Sequence, residues 1–416
     1  MPISKLSAST ALRLKSSVVL LTPDAVVKEL TDNALDAEAS SIEVQISANT
    51  VDKIQVRDNG TGINREDFTS LARPSHTSKL RSFDELELKA GQTLGFRGEA
   101  LASATDIAQT TIVTKTNNDT VAMQLVFSSG PRSELSPRPI SAPVGTTVTL
   151  VRLFDCMPVR KREYTKRAPQ SIINIKRQLI AYVLARPRVK ITLKVLGEKK
   201  LADWSYAPAR PPSTRDAAVQ GLGLEVVSNC ISKTFIGHLT SNGSADDGAT
   251  LNLSALMPKS GASPKAISGY GAFISVDSRP ITALRGTMKK LVDIFKTHLR
   301  RHLSPGGQVT KPFLQLDITT TPGSYDVNIT SAKDEVIGAR VVRGKAPSPH
   351  ATLLNQGPSC EESSQFTAEK YVSGGLKDAE AVQIQQTTAG GYRATNDWDP
   401  ACAYRYHGGI IGCRDG

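Results

Sequence analysis

Paired cysteines are missing from this sequence. The five present, Cys156, Cys230, Cys360, Cys402 and Cys413, are scattered, odd in number and without a C-x-x-C pair. That excludes a disulfide scaffold or a zinc finger and fits a reducing compartment. The loose group Cys402, His407 and Cys413 lacks metal-site spacing. Long apolar runs are missing too: VVLL at Val18 to Leu21 is far short of a membrane span. The opening MPISKLSAST has neither the charged nor the apolar region of a signal peptide. The expectation is a soluble intracellular protein. Also absent are the G-x-x-x-x-G-K-[ST] of a P-loop and the spaced glycines of a dinucleotide fold.

What is present begins with charge. The chain holds 51 Lys and Arg against 39 Asp and Glu, a formal charge of +12. The excess is local: residues 151–200 carry 14 basic side chains and 3 acidic ones. Solubility alone would not cluster charge in this way, whereas a protein that follows a polyanion does. The basic residues singled out for a nucleic-acid backbone are Arg160, Lys161, Arg162, Lys289, Lys290, Arg300 and Arg301.

A length of 416 residues allows two ordinary domains and a tail. DAVVKELTDNALDAE (24–38) places Val26, Val27, Leu30, Ala34 and Leu35 at helical spacing, with Asp24 as the expected capping residue. SIEVQISA (41–48) and KIQVRDNG (53–60) alternate like paired strands. Further strands are expected at 110–116, 121–127, 145–154 and VKITLKVL, with a helix at 171–187 burying Ile172, Ile175, Leu179 and Val183. The result is helices on a mostly antiparallel sheet. A Pro-rich break, APARPPS (207–213), marks a boundary. Beyond it come a strand GAFISVDSRPI (271–281), a basic-faced helix TMKKLVDIFKTHLRRHL (287–303) and a strand FLQLDITT. From about Gly344 polar residues without periodicity predict a disordered tail.

Chemistry is suggested by three stretches. In KELTDNALDA, Glu29 and Asn33 share a helix face and Asp36 follows on it. A carboxylate there can polarise a water, and an amide can help hold magnesium. Alone, such a face is ordinarily just solvated. RDNGTGI puts Asp58 at a strand end, able to accept a hydrogen bond from an exocyclic amine; Gly60 and Gly62 are expected to leave room for a flat ring. GQTLGFRGEALAS (91–103) offers glycines ahead of a helix, a way to present N–H groups to phosphate.

The order of these motifs resembles the GHKL ATPases (gyrase, Hsp90, histidine kinases, MutL). G-F-R-G-E-A-L, together with T-S-K at Thr77 to Lys79, resembles the MutL mismatch-repair family specifically. The likeness continues through GTTVTLVRLF, PVR (158–160), ARP (185–187), S-R-P (278–280) and DVNITSAKDEV (326–336), and covers about 330 residues. SSVV near the start is similar to eukaryotic PMS-type paralogues. The resemblance implies an α+β fold: a GHKL (Bergerat) ATPase sandwich over residues 1–205 with helices on a mixed, mostly antiparallel sheet. It further implies a ribosomal-S5-like α/β transducer and DNA-binding domain over 214–340, leaving 341–416 as a tail of low order.

By the same resemblance Glu29 is the general base and Asn33 coordinates Mg²⁺. Asp58 reads adenine, with Gly60, Gly62 and Thr147 shaping its pocket, and Asp36 lies in the ATP site. Gly95, Phe96, Arg97, Gly98, Glu99 and Ala100 form the phosphate turn. Thr77, Ser78 and Lys79 lie in a lid, and Lys333 reaches the γ-phosphate from the second domain. The implied activity is slow, magnesium-dependent ATP hydrolysis by a nuclear mismatch-repair clamp. It would bind DNA non-specifically and pair, under ATP, with another MutL-type subunit. Pro74 in the lid and Ser331 before Lys333 depart from the family pattern. No nuclease motif D-Q-H-A-x-x-E and no C-terminal dimerisation domain are found between Gly344 and Gly416, so no endonuclease activity is expected. The alternative is an ATPase-inactive paralogue acting as a nucleotide- or partner-binding module.

Overall fold

The computed structural model describes residues 22–73, 76, 93–95, 98–127, 137–197, 203–239, 249–302 and 309–321. It also describes short strands at 325–326, 337–338, 366–370, 380–384, 404–406 and 409–411. The first helix, α1 (Pro23–Asp36), starts one step earlier than expected: Thr22, not Asp24, is its cap, its hydroxyl accepting the Ala25 N–H at 3.0 Å. Pro23 in the first turn has no N–H to leave unsatisfied. The hairpin β1 (Ser41–Ser47) and β2 (Lys53–Asp58) follows, with Ile42, Val44, Ile46, Ile54 and Val56 turned inward by the twofold alternation.

Four strands extend this hairpin on one side: β3 (Gln109–Lys115), β4 (Ala122–Phe127), β5 (Arg138–Ile140) and β6 (Gly145–Val151). Two more, β7 (Lys190–Leu196) and β8 (Trp204–Tyr206), extend it on the other. The order is β5-β4-β3-β6-β2-β1-β7-β8, and every pair is antiparallel except β1 with β7. Among the described residues, helices cover one face only. α1, α2 (Ala100–Ile107) and α4 (Ala168–Ala185) bury their apolar residues against Ile42, Val44, Ile54, Leu150 and Leu193. Glu43, Gln45, Gln55 and Thr149 face the other way and stay partly exposed. α4 is the central packing helix: Ile175, Leu179 and Val183 are fully buried, whereas Ile172 is only partly so. α3 (Pro158–Lys166), a helix not expected from the sequence, has no buried residue and hence no apolar stripe to betray it.

No break in packing occurs at the Pro-rich stretch. α5 (Thr214–Leu222) and α6 (Leu224–Ser228) follow it and insert Ala217, Ala218, Val226 and Val227 into the first core. A second sheet, ordered β12-β11-β13-β10-β9, is built from β9 (Cys230–Leu239), β10 (Ala249–Pro258), β11 (Ala272–Val276), β12 (Arg279–Ile281) and β13 (Leu314–Thr320). A short helix, α7 (Pro264–Ile267), precedes β11, and α8 (Gly286–His302) packs Met288, Val292, Phe295 and Leu299 on the sheet. Residues 271–281 form two strands rather than one, because Asp277 and Ser278 both take positive φ (47° and 62°) in a two-residue turn. The tail beyond 344 lies mostly outside the described residues; within it Phe366–Lys370 pairs with Glu380–Ile384, and Tyr404–Tyr406 with Gly409–Ile411.

Leu179 is fully buried where α4 meets the first core. Leu179→Ala should lower stability by about 2–5 kcal/mol, read as a shift in the urea midpoint with an unchanged slope.

Candidate functional site

The site lies where α1 crosses the ends of β2 and β6. Asp58 closes β2 on the helix-covered face, and its Oδ1 accepts the N–H of Gly60 at 2.9 Å and of Thr146 at 3.1 Å. Among the described residues none donates to Oδ2. Burial pushes the Asp58 carboxyl above its ordinary range, with the two N–H donors pulling partly back. Asn59 anchors the loop: its Oδ1 accepts the Ser40 and Ser41 N–H groups at 3.0 and 2.8 Å. Gly60 packs against the end of α1, where a Cβ would meet the Ala37 carbonyl oxygen at 2.4 Å. Its smallness therefore serves a backbone approach within the protein, and Gly62 likewise sits against the Lys115 carbonyl.

Thr147 does not join Asp58. It pairs across to Arg57 and Val113, on the sheet face away from the helices, and its neighbour Thr146 is the residue that meets Asp58. Thr146 also shares a 3.2 Å hydroxyl contact with Thr114, whose Oγ1 accepts the Ile63 N–H. The period-two alternation makes this a question of parity, which the motif G-T-T-V alone does not reveal.

On α1, Glu29 is only 9% exposed while Asn33, one turn on, is exposed. Asp36, at the last turn, accepts the Leu94 N–H at 2.7 Å and the Gly95 N–H at 2.8 Å. The helix end thereby holds the strand leading into the turn, and the Gly95 N–H, expected to face phosphate, is already taken. Gly98 has φ +62°, and a Cβ there would meet the His76 carbonyl oxygen at 2.3 Å. Glu99 then precedes α2, whose first returning bond is Ser103 N–H to the Glu99 carbonyl at 2.8 Å. The N–H groups of the helix start from Ala100 onward are thus the ones left for an acceptor outside the helix. Thr77, Ser78, Lys79, Phe96, Arg97 and Lys333, with Pro74 and Ser331, lie outside the described residues.

Behind this surface lies a charged layer with no counterpart in the sequence reading. Asp32, 1% exposed, pairs with Lys28 at 2.8 Å and accepts the hydroxyl of the buried Tyr182. Burial first, and then the Asp32 charge, push the Tyr182 phenol well above its usual range, which keeps it a donor. Arg279, also 1% exposed, enters from β12 and donates to the carbonyls of Thr93 and Leu94. Only the S-R-P motif after a turn-forming Asp-Ser hinted at it.

Magnesium suits the donor set. Among the described residues no three His, Cys, Asp or Glu side chains gather as a metal cage. An exposed Asn33 amide beside an acidic face matches an ion that keeps few protein ligands and binds mainly through substrate phosphates.

The basic candidates divide. Arg162, Lys289, Lys290, Arg300 and Arg301 are exposed. Lys161 pairs with Asp155 at 2.6 Å and Lys289 with Asp293 at 2.8 Å, and both aspartates are held below their usual range by these hydrogen bonds. Arg160 is half-buried over the Phe154 ring at 5.5 Å. No described helix is long and apolar enough to cross a membrane.

A family model described as "Histidine kinase-, DNA gyrase B-, and HSP90-like ATPase" matches residues 21–150. Human "PMS1 protein homolog 1" is 32% identical over 342 residues, 80% of this chain and 34% of that protein. The "DNA mismatch repair protein MutL" of Shewanella pealeana is 32% identical over 340 residues, 81% of this chain and 49% of that one. The chain thus spans a third to a half of the length of these relatives. A solved structure, "Crystal Structure of N terminal domain of a DNA repair protein", superposes with a TM-score of 0.63 at 23% identity, covering 79% of this chain and 92% of that one. It shows that the fold is shared.

Asp36→Ala should leave the Leu94 and Gly95 N–H groups without their acceptor and cost about 1–3 kcal/mol for each group left unpaired. Chemical denaturation should show the loss, and Asp36→Asn should recover part of it.

Proposed function

We propose that the chain acts as the ATPase region of a MutL-type mismatch-repair protein, binding ATP and hydrolysing it slowly in nuclear DNA mismatch repair, a reading supported by its similarity to those proteins. The observation that carries this reading is Asp58: one carboxylate oxygen is fixed by two backbone N–H groups and the other has no donor among the described residues. That free oxygen suits the exocyclic N6 group of adenine, with Thr146 supporting the same pocket. Asp58 reads the base, and α1 crosses toward the phosphates.

Glu29 is the general base: its carboxylate takes a proton from the water that attacks the γ-phosphorus, as the bond to the β-phosphate oxygen breaks and ADP leaves. Asn33 would hold Mg²⁺, which when bound would neutralise phosphate charge. Gly98, Glu99 and Ala100 place the start of α2 against phosphate oxygens, where helix N–H groups favour negative charge; Phe96 and Arg97 are assigned to the same turn on the resemblance alone. Thr77, Ser78 and Lys79 serve as the lid and Lys333 as the γ-phosphate contact, on the resemblance alone.

The domain division follows the same reading: an ATPase domain over 1–205 and an S5-like transducer over 214–340. In that reading ATP draws this region to a second MutL-type subunit. Exposed Arg162, Lys290, Arg300 and Arg301, with Arg160, Lys161 and Lys289, hold the DNA backbone without reading bases.

Two measurements test this. Glu29→Ala should still bind ATP by calorimetry while steady-state phosphate release disappears; unchanged turnover would remove Glu29 from the role. DNA affinity should fall steeply with salt, each phosphate contact adding about −0.9 to the log–log slope. Arg162→Glu with Arg300→Glu should flatten that slope, and a salt-insensitive affinity in the wild type would sink the DNA assignment.

A further inference from the structure

Arg279 is a guanidinium buried to 1% exposure, far in sequence from the residues it touches. Its Nη1 donates to the Leu94 carbonyl at 2.9 Å and its Nη2 to the Thr93 carbonyl, while Nε has no partner among the described residues. The same two peptide groups are held from the opposite side, their Leu94 and Gly95 N–H groups donating to Asp36. Residues 93–95 are therefore gripped through their carbonyls by the second sheet and through their amides by α1. This segment leads directly into Gly98 and the start of α2.

The grip is built to be rigid. Arg279 is the first residue after the two-residue turn at Asp277 and Ser278. That turn is stapled to β13: the Asp277 N–H donates to the Ile318 carbonyl at 2.8 Å, and its Oδ1 accepts the Thr320 N–H at 2.9 Å. The Ser278 carbonyl in turn accepts Nε of Arg186, on the residue that ends α4, at 3.1 Å. Burying a guanidinium merely to fill space would be wasteful, since an apolar side chain of like volume packs without the cost of desolvation. A planar fork is what two adjacent carbonyls require, and lysine lacks one.

We propose that Arg279 is a positioning residue for the phosphate turn, locking the second sheet to the segment that aims the turn at the nucleotide's phosphates. This rests on the ATP reading of the site above. Arg279 makes no contact with the adenine acid Asp58, so base recognition and phosphate recognition separate. Loss of Arg279 loosens the phosphate end and leaves the base end as it was.

The test is calorimetric binding of adenosine, ADP and ATP with magnesium to the whole chain, comparing wild type, Arg279→Met and Arg279→Lys, each checked by circular dichroism. In Arg279→Met, ADP and ATP affinity should fall about tenfold or more, the loss expected for a charge-assisted hydrogen bond, while adenosine affinity stays at the wild-type value. Arg279→Lys, restoring charge but not the fork, should lie between; it also carries the test if Arg279→Met does not fold. Equal weakening of adenosine and ATP would reduce Arg279 to a general structural role and overturn the proposal, as would unchanged ATP affinity in the lysine variant. A wild type that binds ATP no more tightly than adenosine would instead overturn the ATP reading on which the proposal rests.

Discussion

Everything at the site depends on how the protein satisfies the polar groups that it buries between α1, α4 and the second sheet. Asp32, Tyr182 and Arg279 are nearly or wholly removed from solvent, and Asp36 stands beside them. An unpaired group there would be costly, so each is tied to another group or to the backbone. Those ties run in one direction through the molecule: from α1 across residues 93–95 to β12, and from β12 to the end of α4. The arrangement of apolar residues brings the helices to the sheet; the polar ties fix their position along and around it.

The two sheets keep separate hydrophobic clusters, and a few residues of the second reach into the first. Phe273 and Phe313 of the second sheet region pack ring to ring at 6.4 Å and join the first hydrophobic cluster. Arg177 of α4 lies 4.3 Å over the Phe273 ring and donates to the Tyr270 and Ala272 carbonyls. The helices that follow the Pro-rich stretch return to the first core.

Much of the fold is legible in the sequence because period-two and helical spacing report directly on which residues face a core. β1, β2, α1 and α8 are of this kind, each with an apolar stripe on one side. α3 was hidden because it has none. Motifs make part of the candidate site legible: Asp36 ends α1 on the Leu94 and Gly95 N–H groups, and Asp58 ends β2 on those of Gly60 and Thr146. Thr146 was mistaken for Thr147 because parity along β6 is set by its register with β2, which pairs Arg57 with Thr147. The partners of Arg279 are not legible in the sequence because they are backbone carbonyls, and a carbonyl has no letter there.

The parallel pairing of β1 with β7 has a consequence for how the chain is made. β1 gains β2 on one edge almost at once, but its other edge waits for a strand that starts at Lys190. Throughout synthesis of the intervening residues, the centre of the large sheet is an open edge of alternating Ile, Val and Ile. Such edges invite pairing with other chains. Until β7 is available, that edge of β1 lacks the partner it has in the finished sheet. Any fragment cut to isolate the nucleotide site has to run past Tyr206 to be well behaved.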